Sequence, residues 1–460
     1  MKRFAACCAL ILTVTGRLPA ADAMRPNVVF IIADDMNRRL PVYGDSLVKA
    51  PNVERLAKRA VRFDRAYCQY PVCSPSRVSF LSGRRPEHTG MYGNEGSSRT
   101  PLLQDAIFLP ELFKSQGYWT ARLGKVFHIG RDVSECWNLS EEGTPGDRIV
   151  YQPQELDKLQ LGPNVVAQHR LKGVGGEGAS GAILSGGKDQ LIDVRNGRRA
   201  AELIAARAAE AQPFFLACGF RRPHLPHLAP QEDYDVYPAA SLPLPESGGP
   251  SLVKHKPPAA EADIRESLRG YLAAMTFMDE QLGLVLDALD AGDLWRNTIV
   301  VFLGDHGYLL GTRGGWWGKG ILYDEAAATT LLIAAPGMAS DSASPRVVEF
   351  LDLYPTLADL CDLHAPPGLE GRSLKPLLHK PDLAWEHPAY TMIARDGKPV
   401  GLAVTLDRWR YLENADGSVE LFDLQTDPRE WHDLANDPAH ATTFAELHQR
   451  AQDYKKIFRP

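Results

Sequence analysis

The sequence predicts an α/β protein with a large, mostly parallel sheet flanked by helices and a smaller C-terminal antiparallel-sheet subdomain. Three observations carry that expectation. Apolar, β-branched runs without alternation recur along the chain and each ends abruptly in polar side chains, which is the pattern of strands buried on both faces. Segments of helical periodicity lie between those runs, and beyond Pro381 the pattern changes to short alternating segments separated by turns.

The elements follow in order. Val28-Val29-Phe30-Ile31-Ile32-Ala33 reads as a first strand that runs into Asp34-Asp35. Tyr118-Trp119-Thr120-Ala121-Arg122-Leu123 leads in the same way to Gly124-Lys125-Val126-Phe127-His128. Between residues 141 and 188 the chain is rich in glycine and poor in apolar periodicity, so a long surface insertion facing the substrate is expected. Residues 195–210 form an amphipathic helix candidate, and Phe214-Phe215-Leu216-Ala217-Cys218 is a strand ending in Arg221-Arg222-Pro223-His224. Residues 238–258 are dense in proline and polar side chains and should wrap the surface. Leu268, Leu272, Met275, Met278, Leu282, Val285, Leu286 and Leu289 mark one face of a long helix over 262–290, with both methionines as core filler. Thr298-Ile299-Val300-Val301-Phe302-Leu303-Gly304 then runs into Asp305-His306-Gly307. A helix starts around Asp352-Leu353-Tyr354-Pro355, and alternation at 400–404, Trp409-Arg410-Tyr411-Leu412 and Glu420-Leu421-Phe422-Asp423-Leu424 predict the last sheet, followed by a terminal helix. In an open α/β sheet ligands bind beyond the carboxyl ends of the strands, so four strand ends can converge on one site.

Composition bounds the function. A chain of 460 residues with 44% hydrophobic content builds a large core, while a net charge of -6 and a pI of about 6.1 give no footprint for nucleic acid. Met1-Lys2-Arg3, an apolar run over residues 4–14 and Ala21-Asp22-Ala23 have the three parts of a signal peptide, placing residues 1–23 outside the mature chain and the protein in a secreted or periplasmic setting, with no membrane span. Cys7 and Cys8 leave with that segment. Of the rest, Cys68, Cys136, Cys218 and Cys361 either pair in an oxidising compartment or stay as buried thiols.

The fifth cysteine lies in Val72-Cys73-Ser74-Pro75-Ser76-Arg77-Val78-Ser79-Phe80-Leu81-Ser82-Gly83-Arg84. Pro75 suits the first position of a helix and Ser74 its cap, so Cys73 is expected at a helix N-terminus, where backbone N–H groups favour a thiolate or a neighbouring anion. This stretch resembles the signature of type I sulfatases, Cys-x-Pro-x-Arg followed by Leu-x-Gly-Arg, whose cysteine is oxidised to formylglycine by a formylglycine-generating enzyme. The resemblance extends over roughly residues 26–435 and implies an alkaline-phosphatase/sulfatase-like fold, a catalytic domain over 24–380 and a C-terminal subdomain over 381–460.

Asp34, Asp35 and Asp305 gather carboxylates at two strand ends, which calls for a hard cation, Ca²⁺ or Mg²⁺. The resemblance implies that Asp34, Asp35, Asp305 and His306 with the modified Cys73 surround calcium. Many arylsulfatases carry Asn where His306 stands, whereas the iduronate-2-sulfatase branch has Asp-His. Gly124-Lys125-Val126-Phe127-His128 and Arg222-Pro223-His224-Leu225-Pro226 also resemble that branch, leaving His227 without a family role, and Lys319 in Trp316-Trp317-Gly318-Lys319-Gly320 matches the last sulfate-binding lysine. Related sequences usually read Leu-Gly-Glu-His-Gly where this chain has Leu310-Gly311-Thr312-Arg313-Gly314.

The implied mechanism starts from attack on sulfur by the hydrated aldehyde at position 73, with Lys125, Lys319, Arg77 and the metal stabilising the sulfate oxygens. His224 protonates the departing oxygen, and His128 takes a proton from the second hydroxyl to expel sulfate. The expected substrate is a sulfated saccharide, in particular a 2-O-sulfated uronic acid, whose carboxylate would face Arg221 or Arg222 and Arg313. Paired Trp316 and Trp317 could stack on a sugar, although core packing is the commoner use of such residues. A phosphonate or phosphodiester hydrolase of the same superfamily and a silent carbohydrate-binding protein are the rival expectations.

Overall fold

The computed structural model describes residues 25–142, 165–171, 174–186, 188–253 and 259–457. The expected signal peptide and residues 143–164 of the glycine-rich stretch lie outside the described residues. A nine-stranded sheet organises the chain. Its central strands Thr298–Gly304, Asn27–Asp34, Phe214–Pro223 and Trp119–Gly124 are adjacent in that order and parallel, with Leu139–Glu141 continuing the parallel run at one edge. On the other side Leu331–Ala334 is antiparallel to Thr298–Gly304 and carries Val61–Tyr67, which pairs in parallel with Ser342–Glu349, so the sheet as a whole is mixed.

The period of two in a strand explains why the first strand is apolar throughout. Val29, Ile31 and Ala33 face a core shared with the long helix Glu261–Ala291, while Val28, Phe30 and Ile32 face the opposite core, where Phe30 lies against Phe80 and Phe215. Met275 and Met278 are fully buried in the first of these cores. Helix Ile192–Arg207 packs on the same side, three residues earlier than its periodicity suggested at each end.

The glycine-rich stretch differs from expectation. Val165–Leu171 and Ala179–Leu184 form an antiparallel pair, and the second strand is wholly buried and runs parallel to His227–Pro230. Its small side chains, Ala179-Ser180-Gly181-Ala182, permit that close packing: a Cβ at Gly181 would meet the His227 carbonyl oxygen at 2.5 Å. Residues 238–253 run over the surface with mostly exposed side chains, as their composition predicts.

The last sheet is antiparallel in the order Ala389–Arg395, Lys398–Thr405, Trp409–Glu413, Val419–Asp423, and helix Ala441–Ile457 covers it, with Tyr454 stacked on Tyr390 at 4.2 Å. A buried ionic network ties this sheet to the main body. Arg410 pairs with Glu430 at 2.8 Å and donates to the Leu322 carbonyl, and Asp324 is held by Arg38 and by the Tyr67 hydroxyl at 2.6 Å. Arg313 donates to the carbonyls of Glu430 and Arg429 at 2.7 and 2.8 Å, pairs with the Glu430 carboxylate at 3.3 Å and lies over the Tyr323 ring. Among the described residues all five cysteines are buried free thiols, and no helix is long and apolar enough to cross a membrane.

Candidate active site

Four neighbouring parallel strands end at the same edge of the sheet, and each delivers polar residues there. The Asn27–Asp34 strand supplies Asp34 and Asp35, Thr298–Gly304 supplies Asp305 and His306, Trp119–Gly124 supplies Lys125 and His128, and Phe214–Pro223 supplies His224. Cys73 is the first residue of helix Cys73–Ser82, which points its N-terminus at this cluster. That helix starts two residues earlier than the Ser74-Pro75 pair suggested. Ser74 makes no side-chain cap; its backbone N–H is taken by the Asn94 side chain at 3.0 Å, and Pro75 has no N–H to satisfy, so the first turn extends back to Cys73. Lys319 arrives from the segment after strand Trp316–Gly318. Cys73, Lys125, His128, His224, Lys319, Asp34, Asp35, Asp305 and His306 are thus brought together.

The carboxylates are buried completely. Arg77 bridges two of them, its Nε on Asp305 at 2.8 Å and an Nη on Asp34 at 3.2 Å, while its other Nη donates to the carbonyls of Lys125 and Val126. Four of the five guanidinium N–H groups are engaged, two on the carboxylates and two on the backbone carbonyls that anchor the group between them. Lys125 Nζ pairs with Asp34 and Lys319 Nζ with Asp35, and Lys319 Nζ also lies 3.6 Å from Cys73 Sγ. Asp305 Oδ1 accepts the backbone N–H of Asp35 and of His306, each at 3.1 Å. Asp35 itself takes a left-handed backbone, φ 63, and its carbonyl accepts the Tyr271 hydroxyl at 2.8 Å while that hydroxyl accepts Asn37 N–H at 3.0 Å. Tyr271 thereby fixes the turn that aims the Asp35 carboxylate at Cys73.

Charge sets the protonation of the cluster. Burial alone would raise the Asp34 carboxyl, but Lys125, His224 and Arg77 hold it below the usual carboxylate range. Asp305 goes the other way, lifted to about 6 by burial despite Arg77. Burial would lower His306, yet Asp305 and Cys73 push it up to about 9. For Cys73, burial is outweighed by Lys125, Lys319 and His306, and its thiol is held well below the ordinary value. Burial keeps His128 below the ordinary histidine value, whereas Asp35 overcomes burial at His224 and raises it.

The donor set fits a divalent cation. Asp34, Cys73, Asp305 and His306 each present a ligand atom within 4.8 Å of one another, and Asp35, Cys73 and His224 do the same. The side-chain cations already answer each carboxylate, so the simple expectation that only a metal could neutralise them is corrected. The cluster nevertheless has room for positive charge: Asp35 Oδ2 is buried without a hydrogen bond, and the Asp305 carboxyl and the His306 ring are both held above their ordinary values. His306 Nδ1 is 2.9 Å from the Gly307 carbonyl, so in the neutral ring Nδ1–H donates there and Nε2, 3.4 Å from Cys73 Sγ, keeps its lone pair for a metal.

Solvent reaches the site past His128 and His224, the two half-buried members. His224 Nδ1 meets the Leu225 carbonyl at 2.6 Å, which turns Nε2 toward Asp35 Oδ2 at 3.8 Å. The arginines expected to meet a uronate carboxylate do not present themselves here. Arg313 belongs to the buried network with Glu430, Arg222 donates to the carbonyls of His224 and Pro226, and Arg221 is buried with its backbone N–H on Asp193. Trp317 is a core residue and only Trp316 is partly exposed; His227 is buried behind the site, held below the ordinary histidine value by burial. Sequence reasoning missed Tyr271, Asn94 and Asp193, whose roles come from long-range packing. It also missed Glu177, the one charged residue between Gly176 and Gly178, whose carboxylate lies 3.7 Å from Lys319 Nζ.

Comparisons with known proteins agree with this geometry. Residues 26–363 match the family described as "Sulfatase", and residues 312–457 match "N-sulphoglucosamine sulphohydrolase, C-terminal". A sulfatase of Formosa agariphila is 32% identical over 436 residues, covering 90% of this chain and 83% of the relative. The human iduronate 2-sulfatase is 30% identical over 417 residues, covering 78% and 73%. In fold, the chain is similar to the crystal structure of the phosphonate monoester hydrolase of Agrobacterium radiobacter, with a TM-score of 0.76 at 20% identity and coverage of 95% and 96%.

Proposed function

The chain belongs to the sulfatase family of sulfuric ester hydrolases, and from that premise we propose that it desulfates a sulfated saccharide, a 2-O-sulfated uronic acid in particular, using formylglycine made from Cys73 and a calcium ion. The observation that carries the chemistry is the arrangement around Cys73: a helix N-terminus, two lysine ammoniums, two half-buried histidines and a carboxylate cluster meet at one atom. The uronate reading is supported by Gly124-Lys125-Val126-Phe127-His128, Arg222-Pro223-His224 and Asp305-His306, branch-type segments that all contribute to this one cluster, and by the similarity to iduronate 2-sulfatase. It rests on those segments and not on Arg222 or Arg313.

The hydrated aldehyde supplies one hydroxyl to attack sulfur and a second through which sulfate is later released. Asp34, Asp35, Asp305 and His306, with the oxygen at position 73, would hold calcium, which supplies Lewis-acid charge to that oxygen and to the sulfate. Lys125 and Lys319 bind sulfate oxygens, anchored by Asp34 and Asp35 so that the ammoniums need not reorganise. His224, raised toward the protonated form, gives its Nε2 proton to the leaving sugar oxygen. His128, kept neutral by burial, removes the proton from the second hydroxyl. Arg77 positions Asp34 and Asp305, and residues 24–380 form the catalytic unit with 381–460 as its C-terminal subdomain.

The test is turnover by protein whose Cys73 peptide carries the aldehyde by mass spectrometry. Matched disaccharides sulfated at the uronate 2-position or at hexosamine positions, an aryl sulfate and a phosphonate monoester are compared. Preference for the uronate sulfate is expected. Preference for hexosamine or aryl sulfate overturns the substrate, and preference for the phosphonate overturns the sulfate reading itself.

A further inference from the structure

We infer that Glu177 is a specificity-determining residue, a hydrogen-bond acceptor for a free hydroxyl on the ring carbon next to the sulfated one. The inference rests on the sulfatase reading above. Glu177 sits in the glycine-rich stretch, between strands Gly175–Gly176 and Ala179–Leu184. Its backbone is fixed against the lysine-bearing segment. Gly175–Gly176 pairs in parallel with Trp316 and Trp317, the Glu177 N–H donates to the Trp317 carbonyl at 2.7 Å, and the Tyr308 hydroxyl donates to the Gly178 carbonyl at 3.2 Å. Gly176 and Gly178 take φ of 73 and 74, and a Cβ on Gly176 would meet the Trp317 carbonyl oxygen at 2.0 Å, so glycine is required for this approach.

The side chain is not needed by the fold in the same way. Its carboxylate accepts no hydrogen bond among the described residues, is 44% exposed and stands 3.7 Å from Lys319 Nζ, beyond hydrogen-bond distance. Lys319 already has Asp35 as its counter-ion. The same ammonium is 3.6 Å from Cys73 Sγ, so Glu177 is separated from the reacting position by a single lysine head. A sulfate ester bound at position 73 and held by Lys319 lays its neighbouring ring carbon alongside that lysine, with the hydroxyl there facing the carboxylate. A carboxylate accepts from a hydroxyl through a charge-assisted bond and repels a second sulfate at the same place, so it selects for an unsubstituted neighbour.

The experiment compares a uronoside 2-O-sulfate bearing a free 3-hydroxyl with its 3-deoxy counterpart, using aldehyde-bearing enzyme. The native protein should favour the hydroxylated sulfate in kcat/KM by roughly tenfold, the worth of one partly exposed charge-assisted bond. In Glu177→Ala that ratio should collapse toward one, in Glu177→Gln, which keeps an acceptor oxygen without the charge, it should fall only part of the way, and in both the 2,3-disulfated analogue, rejected by the native enzyme, should gain relative to the monosulfate. If Glu177 only tunes Lys319, both substrates lose equally and the ratio persists; that result overturns the inference while leaving the sulfatase reading standing. Absence of turnover on every sulfate removes the reading and the inference together.

Discussion

Replacing Arg77 with methionine removes the guanidinium that bridges Asp34 and Asp305. Arg77 is fully buried, and its loss leaves Asp34 with Lys125 but strips Asp305 of its bridging guanidinium. Breaking a buried pair from one side costs about 3–5 kcal/mol, because the remaining charge has neither water nor partner. With an unfolding entropy of about 2.1 cal/mol/K per residue, a 460-residue chain loses about 1 °C in Tm per kcal/mol, so calorimetry should show a drop of roughly 3–5 °C at pH 8. Asp305 already sits at about 6, above its unfolded value, and losing Arg77 raises it further. Such a carboxyl binds more protons folded than unfolded, so its contribution is full below about pH 4 and is lost as pH rises through the folded value. The deficit should therefore shrink as pH falls from 8 toward 5. Calcium at about 100 times its Kd should recover about 2.7 kcal/mol if it binds only the folded site. Arg77→Lys should lose less, keeping charge without the fork. A variant that melts with the native protein at pH 8 and shows the same pH dependence would refute the bridging role.

Cys73→Ala should remain folded by circular dichroism yet lose essentially all sulfate hydrolysis, whereas full activity in protein carrying only unmodified thiol contradicts the proposed nucleophile. Asp305→Asn should weaken calcium binding, followed by calorimetric titration, by at least tenfold relative to the exposed control Asp382→Asn; equal affinities would remove Asp305 from the ligand set. Asp233, pushed up to about 8 by burial and then by Glu280 and Glu232, makes the folded state lose stability between about pH 4 and 8, so Asp233→Asn should raise Tm by a few degrees at pH 8 and by much less at pH 5. A pH-independent change would assign Asp233 a different role.

The strands and their polar ends were legible because burial on both faces demands uninterrupted apolar runs, and because such runs can stop only where the chain leaves the sheet. Asp34, Asp305, Lys125 and His224 are therefore visible in sequence as a consequence of the fold. Arg313 was misread for the complementary reason: a lone arginine in a glycine-rich turn looks solvated, and nothing local reveals a partner 117 residues away at Glu430. Tyr271 was hidden by its own helix, where it occupies one more core-facing position in an apolar periodicity. The glycine-rich stretch carried its information in reverse, since small residues that read as loop were needed to admit a strand against His227–Pro230.

The buried ionic network also bears on modularity. Arg313 and Asp324 lie in the segment that leads to and follows Lys319, while Arg410 comes from the terminal sheet and Glu430 from the loop after its last strand. Severing the chain near residue 380 would take from Arg313 both carbonyls and the carboxylate it binds, and from the Asp324 N–H its Glu430 acceptor, while Arg38 would keep Asp324. The similarity of residues 312–457 to a single C-terminal family unit follows the same grain, since it begins one residue before Arg313 and includes Asp324, Arg410 and Glu430. A graft that exchanges terminal sheets between sulfatases should accordingly carry residues 312–457 as one block, and the lysine at the active site travels with the sheet that supports it.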